Sequence, residues 1–170
     1  MKVETYRIKG WEDVERGLIV AENDKWLLVK HIPIDYIVDG YKLYRKAFIS
    51  SRESDNGEEK VARVLELKGV KATAPKGFKL KSIKKMLAWS EKTYGIFEFQ
   101  QKVEEELYYG KNATTEKNKL VMDIVSPDGE IDDAYEYEFS LKKIRVVSFD
   151  SDYFHAIRLL MEDELKGAED

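Results

Sequence analysis

Cysteine is absent from this sequence of 170 residues, and histidine occurs only at His31 and His155. The lack of cysteine excludes a disulfide framework, a zinc site with thiolate ligands and a cysteine nucleophile. No stretch reaches the ~18 uninterrupted apolar residues of a membrane-spanning helix, and charged residues stand within the first four positions, so we predict no secretory leader. We therefore expect a protein of the reducing cytoplasm that has no membrane as a partner.

Signature motifs of catalysis are missing as well. The sequence contains no glycine-rich phosphate loop, nucleophile elbow, zinc spacing or dinucleotide fingerprint. Neither histidine has a serine or an acidic residue at a spacing that defines a base or a metal pair. The carboxylates between Asp128 and Asp133 do not match the calcium-loop spacing and indicate a solvated turn. We expect no catalytic residue, no metal and no cofactor.

Charge is abundant and unevenly distributed. Hydrophobic residues make up 43% and charged residues 36% of the chain, which is typical of an ordered globular protein with a charged surface. Lys/Arg and Asp/Glu number 13 and 13 in residues 1–68, 7 and 1 in residues 69–95, and 9 and 19 in residues 96–170. The nets of 0, +6 and −10 sum to −4. This acidity argues against DNA as a partner, because cations must replace the counterions of the phosphate backbone.

Apolar runs with a period of two predict short antiparallel strands in both halves of the chain. In the first half they cover residues 5–8, 17–20, 26–32, 36–38, 41–44 and 47–49. A helix follows, capped at Asp55 and stopped at Gly69. In the second half a basic amphipathic helix over 83–94 precedes strands over 96–100, 106–109, 119–125, 135–139 and 144–149. A last helix, predicted to end at Met161, closes this half.

The two halves repeat one another in order and spacing. Equivalent residues lie 93 positions apart from the start of each half through the strand that contains Leu27, and 95 positions apart after it. These offsets pair Gly17 with Gly110, Leu27 with Leu120, Tyr44 with Phe139, Asp55 with Asp150 and Arg63 with Arg158. Repeats are expected to show such a common register. We therefore predict a first domain over residues 1–69, a linker over 70–81, and a second domain over 82–170.

A short helix that feeds a five-strand meander, with a glycine at the bend of the second strand, resembles the small barrels of the Sm-like and SH3-like type. Gly110 and Gly17 stand at that position in the two halves. The second half is also similar to a group of uncharacterised bacterial proteins with a Pro-Asp-Gly-Glu turn, an Ile-x-x-Val-x-Phe strand and a closing helix. The resemblance implies a mainly β fold with short helices, in which a basic amphipathic helix joins two tandem small β-barrels.

Tyrosines and lysines mark two candidate surfaces. Strand tyrosines present an apolar body with a polar tip, and those considered for a protein partner or self-association are Tyr41, Tyr44, Tyr135 and Tyr137. The residues considered for RNA are Lys76, Lys79, Lys81, Lys84 and Lys85 with the hairpin-loop residues Asn23, Asp24 and Asn118. RNA-binding Sm-like proteins share an Arg-Gly turn that this sequence lacks. The lysines have a second interpretation, in which they face solvent or pair with the acids at 104–106.

The expected function is a non-enzymatic interaction module of unknown specific role that binds protein. An RNA-binding Sm-like protein is the alternative, and an enzyme whose acids and histidines converge from distant segments is a third hypothesis. A basic concave patch favours RNA, an apolar edge favours protein, and a pocket that unites a histidine with carboxylates favours chemistry.

Overall fold

A computed structural model describes all 170 residues of the chain. Its ten strands are β1 (Val3–Ile8), β2 (Val14–Glu22), β3 (Trp26–His31), β4 (Tyr41–Arg45), β5 (Ile49–Glu53), β6 (Phe97–Gln100), β7 (Tyr108–Glu116), β8 (Lys119–Val125), β9 (Ile131–Ser140) and β10 (Val146–Phe149). The helices are α1 (Asn56–Leu67), α2 (Ile83–Tyr94) and α3 (Asp152–Glu169). The prediction of a mainly β fold with short helices is confirmed. None of the helices combines the length and the apolar composition needed to cross a membrane.

All ten strands form one antiparallel sheet in the order β5-β1-β2-β3-β4-β10-β6-β7-β8-β9. We call β1–β5 with α1 the first unit, and α2 with β6–β10 and α3 the second unit. In each unit the last strand lies beside the first, and the other strands follow in chain order. The units meet where β4 pairs with β10, and we call this junction the seam.

The two units share their cross-strand registers. Equivalent pairs are Leu27–Tyr44 and Leu120–Phe139, Gly17–His31 and Gly110–Ile124, and Tyr6–Arg52 and Phe99–Val147. These pairs reproduce the offsets of 93 and 95 that the sequence predicts for the strands. The repeat is therefore present in the hydrogen-bonded framework as well as in the residue pattern.

The closing helices α1 and α3 follow a different offset. Their N-caps are Asp55 and Ser151, which lie 96 positions apart. The predicted equivalence of Arg63 with Arg158 is therefore wrong by one residue. Asp150 is the extra residue, and it has the left-handed conformation with φ 67° just before the second cap.

One glycine in β2 and one in β7 lie in close contact with neighbouring side chains. A Cβ at Gly17 would lie 2.4 Å from Val29 Cγ2, and a Cβ at Gly110 would lie 2.4 Å from Met122 Sδ and 2.6 Å from a Phe97 ring carbon. Atoms cannot approach so closely without displacing their neighbours. The prediction that these two positions leave no room for a side chain is confirmed.

The largest hydrophobic core crosses the seam. Trp26, Leu28 and Leu43 of the first unit belong to the same buried cluster as Val147 and Phe149 of the second. Burial of this apolar surface stabilises both units together, because each buried carbon group contributes wherever it lies in the chain. The two units consequently share a core across the seam.

The predicted linker, residues 70–81, contains no helix or strand but lies against the folded units. Phe78 is buried, with its ring centroid 4.9 Å from that of Trp89 and 5.5 Å from that of Phe149. The Tyr41 hydroxyl donates a hydrogen bond to the Thr73 carbonyl at 2.8 Å. The segment is thus part of the packed structure, and the domain boundaries drawn around it stay predictions.

Residues 36–38, predicted as a strand, lie in a loop that holds the units together. Gly40 has φ +69°, and a Cβ there would lie 2.5 Å from the Ser151 nitrogen. The adjacent Asp39 carboxylate accepts a hydrogen bond from the Asp152 amide at 2.8 Å. The Asp39-Gly40 dipeptide therefore docks the first unit on the N-terminus of α3, a long-range contact that local periodicity does not register.

Candidate functional site

The sheet ends in two strands that have a neighbour on one side only, β5 in the first unit and β9 in the second. β9 has ten residues, and all of them are exposed or half-buried. An edge strand presents backbone N–H and C=O groups that can pair with another strand. Each end of the sheet is thus open to strand addition.

Two of the predicted contact tyrosines lie on the open strand β9. Tyr135 is 70% exposed, and its ring centroid is 6.3 Å from that of Tyr137. The Tyr137 hydroxyl donates to Asp132 Oδ2 at 2.6 Å, which holds this half-buried ring in place. The pair forms an aromatic surface along the strand and stays a candidate for partner contact.

The other two predicted contact tyrosines lie on β4, at the seam. Tyr44 is fully buried, and its hydroxyl donates to Glu15 Oε2 at 2.9 Å. The Tyr41 ring stacks on Phe149 with centroids 5.4 Å apart. Tyr44 is therefore wrong as a contact residue, because its side chain belongs to a buried core cluster, whereas Tyr41 is half-buried and its contact with a partner stays a prediction.

The RNA candidates in the hairpin loops serve the turns themselves. Asn23 Oδ1 accepts hydrogen bonds from the amides of Lys25 and Trp26 at 2.9 and 2.8 Å. Asn118 Oδ1 accepts from the Lys142 amide and its Nδ2 donates to Ser140 Oγ, both at 2.8 Å. Asp24 is exposed at the tip of its hairpin. The two asparagines are thus already engaged.

The lysine cluster begins in the segment before α2 and continues into its first turn. Four of its members are exposed and Lys84 is half-buried: Lys76, Lys79, Lys81, Lys84 and Lys85. None of the five lies within 4.0 Å of a carboxylate oxygen. Pairing with the acids at 104–106 does not occur, since Glu104 instead accepts hydrogen bonds from the amides of Glu12 and Asp13. The cluster is a free basic surface.

A buried polar cluster lies beside the seam. The Glu15 carboxylate accepts hydrogen bonds from Lys42 Nζ at 3.0 and 3.1 Å and from the Tyr44 hydroxyl, and it lies 3.1 Å from His31 Nε2. Burial alone raises the pKa of Glu15, but the His31 hydrogen bond and the Lys42 charge outweigh burial and lower this pKa to about 2. Glu15 is therefore an ionised acid with protein partners.

A second buried acid continues this cluster into the other unit. Lys42, Ser148, Glu98 and Tyr109 face one another in a row over four neighbouring strands and through the seam. The Tyr109 hydroxyl donates a hydrogen bond to Glu98. Burial raises the pKa of Glu98 above its ordinary value of 4.5, although the Tyr109 hydrogen bond and the neighbouring Ser148 hydroxyl act in the opposite direction.

Both histidines acquire acidic partners through the fold. His31 lies beside Glu15, and His155 Nε2 is 2.6 Å from Asp150 Oδ1. The His155 ring also meets Tyr94 edge-on, with centroids 5.8 Å apart. No group of three or more His, Asp or Glu side chains could hold a metal ion. The acids of the seam, Glu15 and Glu98, are thus occupied by protein groups.

Sequence reasoning missed the two seam acids. Glu98 stands between Phe97 and Phe99 in a strand that is buried on both faces. An acid inside such an aromatic strand must find partners, because an unpaired buried charge is costly. This pattern was the available signal for Glu98, whereas Glu15 lies in a strand of mixed composition that carries no comparable signal.

The likeness between the two units is a relation within this chain. It does not establish a relation to the Sm-like and SH3-like barrels, which therefore stays a prediction. Comparison with protein-family models, with curated proteins and with solved structures found no match to the chain.

Proposed function

We propose that the protein is a non-enzymatic interaction module, built of two small barrels of the Sm-like and SH3-like type, that binds an extended protein segment along β9. One observation carries the proposal. The counterpart of β9 in the first unit is β4, and β4 pairs along its outer side with β10. The chain therefore contains one example of a strand added at the position that β9 leaves open.

The seam indicates what the added segment requires. The residues of β9 that correspond to Tyr44, Leu43, Lys42 and Tyr41 are Phe139, Glu138, Tyr137 and Glu136. Side chains alternate along a strand, so the two aromatic rings share one face and the two acids share the other. A segment in the register of β10 would place apolar residues opposite the rings and basic residues opposite the acids. The partner is thus an extended segment in which apolar and basic residues alternate.

A second copy of this chain fits that description poorly. Besides β9, the only strand with an unpaired edge is β5. Ser51 and Arg52 of β5 occupy the positions that Val146 and Val147 occupy in β10. Arg52 is also bound to Glu4 and Glu22, at 2.8 and 2.9 Å. Charged and small polar residues on an edge strand disfavour edge-to-edge association. We therefore place a different protein, rather than self-association, at β9.

RNA binding by the lysine cluster is a second candidate function. The observation that favours it is the absence of any carboxylate partner for the five lysines, beside the aromatic rings of Phe78 and Trp89. Phe78 is buried, however, and the two hairpin asparagines are engaged in their turns. This surface therefore offers cations but few free groups that could read a base.

The test uses a labelled synthetic peptide in which valine and lysine alternate, and a second peptide of the same composition with the order scrambled. We expect the alternating peptide to bind with the higher affinity in fluorescence anisotropy, and to slow hydrogen exchange in β9. Tyr135→Ala with Tyr137→Ala should weaken binding about tenfold, since each aromatic contact contributes about 0.5–1.5 kcal/mol.

The matched control is Tyr36→Ala, because Tyr36 is an exposed tyrosine of a loop in the first unit. Its affinity for the peptide should equal that of the unmodified protein. Equal binding of the two peptides, or protection confined to α2 and the lysine cluster, would contradict strand addition at β9.

A further inference from the structure

A cavity of about 350 Å³ lies where the second unit meets the first at the end of β10. Its wall includes Phe48 from the first unit and Lys102, Glu106, Lys143 and Arg145 from the second. The loop after β6 forms one side of it and is anchored on the first unit, since Trp11 Nε1 donates a hydrogen bond to the Gln101 carbonyl at 3.1 Å. The cavity therefore exists only because the two units are joined.

Arg145 is the unexplained group of this cavity. Its Nε and Nη1 atoms are buried and have no hydrogen-bond partner in the protein. The guanidinium carbon lies 4.5 Å from the centroid of the Phe48 ring, which is within the range of a cation–π contact. Buried donors without partners are rare in native proteins. Nη1 lies against Gly10, so an anion in the cavity would give these donors a partner if the Arg145 fork turns toward it.

Arg45, at the same seam, shows what a purely structural arginine does there. Its guanidinium lies over an aromatic ring in the same way, 4.6 Å from the centroid of Trp26. Unlike Arg145, it donates hydrogen bonds to the carbonyls of Ile144 and Leu141, at 2.8 and 2.7 Å. Burial lowers the pKa of both guanidinium groups, so both are desolvated, yet only Arg45 has acceptors.

The charges around the cavity favour an anion. Lys102, Lys143 and Arg145 are cationic, and none of them forms an ion pair within 4.0 Å. Glu106 is the one acid in the wall, and it accepts a hydrogen bond from the Tyr108 hydroxyl at 2.6 Å. Three cations and one acid give the wall of the cavity a net charge of +2. A ligand in the cavity would be partly removed from water, which strengthens its attraction to these charges.

We propose that this cavity binds a small oxyanion with two negative charges, either a phosphate group or a dicarboxylate, through the Arg145 fork. The planar guanidinium presents parallel N–H groups that match two oxygens of such an anion. Lys102 and Lys143 add positive charge, and their flexible ammonium groups can contact the anion in more than one orientation. This site is separate from the β9 edge and does not depend on strand addition there.

The test measures binding of inorganic phosphate and of succinate to the full chain, at constant ionic strength, from the arginine Nε–Hε resonances and from the melting temperature. We expect one of the two anions to shift a single arginine resonance, that of Arg145, in the millimolar range or below. Binding of phosphate alone identifies a phosphoryl ligand, and binding of succinate alone identifies a carboxylate ligand.

Arg145→Met removes the fork but keeps an apolar stem over Phe48, and should weaken binding about tenfold or more. Lys102→Ala with Lys143→Ala changes two exposed side chains and should weaken binding even if the arginine variant fails to fold. The control is Lys81→Ala with Lys85→Ala, which removes the same charge from the lysine cluster. Failure of both anions to shift Arg145, or loss of binding in the control alone, would overturn the proposal.

Discussion

Glu15 contacts three side chains on two other strands. Loss of the Glu15 carboxylate would leave each of these three side chains without its partner. Lys42 and Tyr44 come from β4, and His31 comes from β3. Removal of one member of a buried ion pair typically destabilises a protein by about 3–5 kcal/mol, because the remaining charge stays buried. The cluster therefore fixes the registers of β2, β3 and β4 close to the seam.

Glu98 should make stability fall as the pH rises. Its pKa is raised by burial in the folded chain, so folding favours the protonated acid. The stabilising contribution is complete below 4.5, the ordinary value, and is lost as the pH rises through the higher folded pKa. We expect Glu98→Gln, which keeps an acceptor for Tyr109, to gain stability relative to the unmodified protein as the pH increases above 4.5.

Urea unfolding of both proteins across this pH range measures the difference directly, because groups common to both proteins cancel. Glu53→Gln, at an exposed position of β5, is the control and should show no pH-dependent difference. A constant difference for Glu98→Gln, or one that shrinks with rising pH, would disprove the assigned shift.

The individual elements could be predicted well where the signal is local. A capping acid at Asp55 and a serine at Ser82 mark the starts of α1 and α2, and Gly95 has the left-handed conformation that ends α2. Period-two alternation located most strands but not all of their bounds, since β5 begins where the predicted strand over 47–49 ends and β7 extends well beyond the predicted 106–109.

Residues 36–38 were wrongly predicted as a strand, because the distant contact of Asp39 with α3 holds their loop. α3 was predicted to end too early, because its last turns up to Glu169 are exposed and carry few apolar residues.

The close contacts of Gly17 in β2 and Gly110 in β7 allow a prediction for both positions. Gly17→Ala should cost about 2–3 kcal/mol, because its Cβ would meet Val29, whose branched side chain has few alternative rotamers. Gly110→Ala should cost a similar amount, about 2–3 kcal/mol, because its Cβ would meet the buried Phe97 ring as well as the more flexible Met122. Denaturant titration gives both values.

Gly167→Ala in α3 is the matched control for these two variants. Nothing lies within 4 Å of a Cβ at Gly167. Alanine there should leave stability unchanged or raise it by about 0.5–1 kcal/mol, since glycine weakens a helix. A cost at Gly167 equal to that at Gly17 would show that close approach is not the cause.

At the scale of the molecule, the repeat was readable in the sequence and the seam was not. Offsets of 93 and 95 could be found by comparison within the chain, because each unit repeats its own local order. Pairing of β4 with β10 joins segments that are distant in sequence. Tyr44 is buried in a core cluster while Tyr135 is exposed, and this difference follows from packing that the local sequence pattern does not reveal.

The shared core predicts that both units unfold together. Tryptophan fluorescence, which includes Trp26 near the seam and Trp89 in α2, should give the same urea midpoint as circular dichroism. Leu43→Ala should lower both midpoints equally, at a cost of about 2–5 kcal/mol, because Leu43 is buried in the cluster that crosses the seam.

Leu67→Ala is the control for this experiment, because Leu67 is 70% exposed at the end of α1. Its midpoints should stay near those of the unmodified protein. Two separate transitions, with only one displaced by Leu43→Ala, would show that the units are independent domains.

The strand order also has a consequence for synthesis on the ribosome. β10 is the last strand to leave the ribosome, and it pairs with both β4 and β6. Before β10 is synthesised, one edge of each of these two strands is therefore unpaired. Until then the nascent first unit exposes Leu43 and the outer edge of β4, a surface suited to aggregation. We therefore expect chains that are truncated before residue 146 to be insoluble or bound to chaperones after translation.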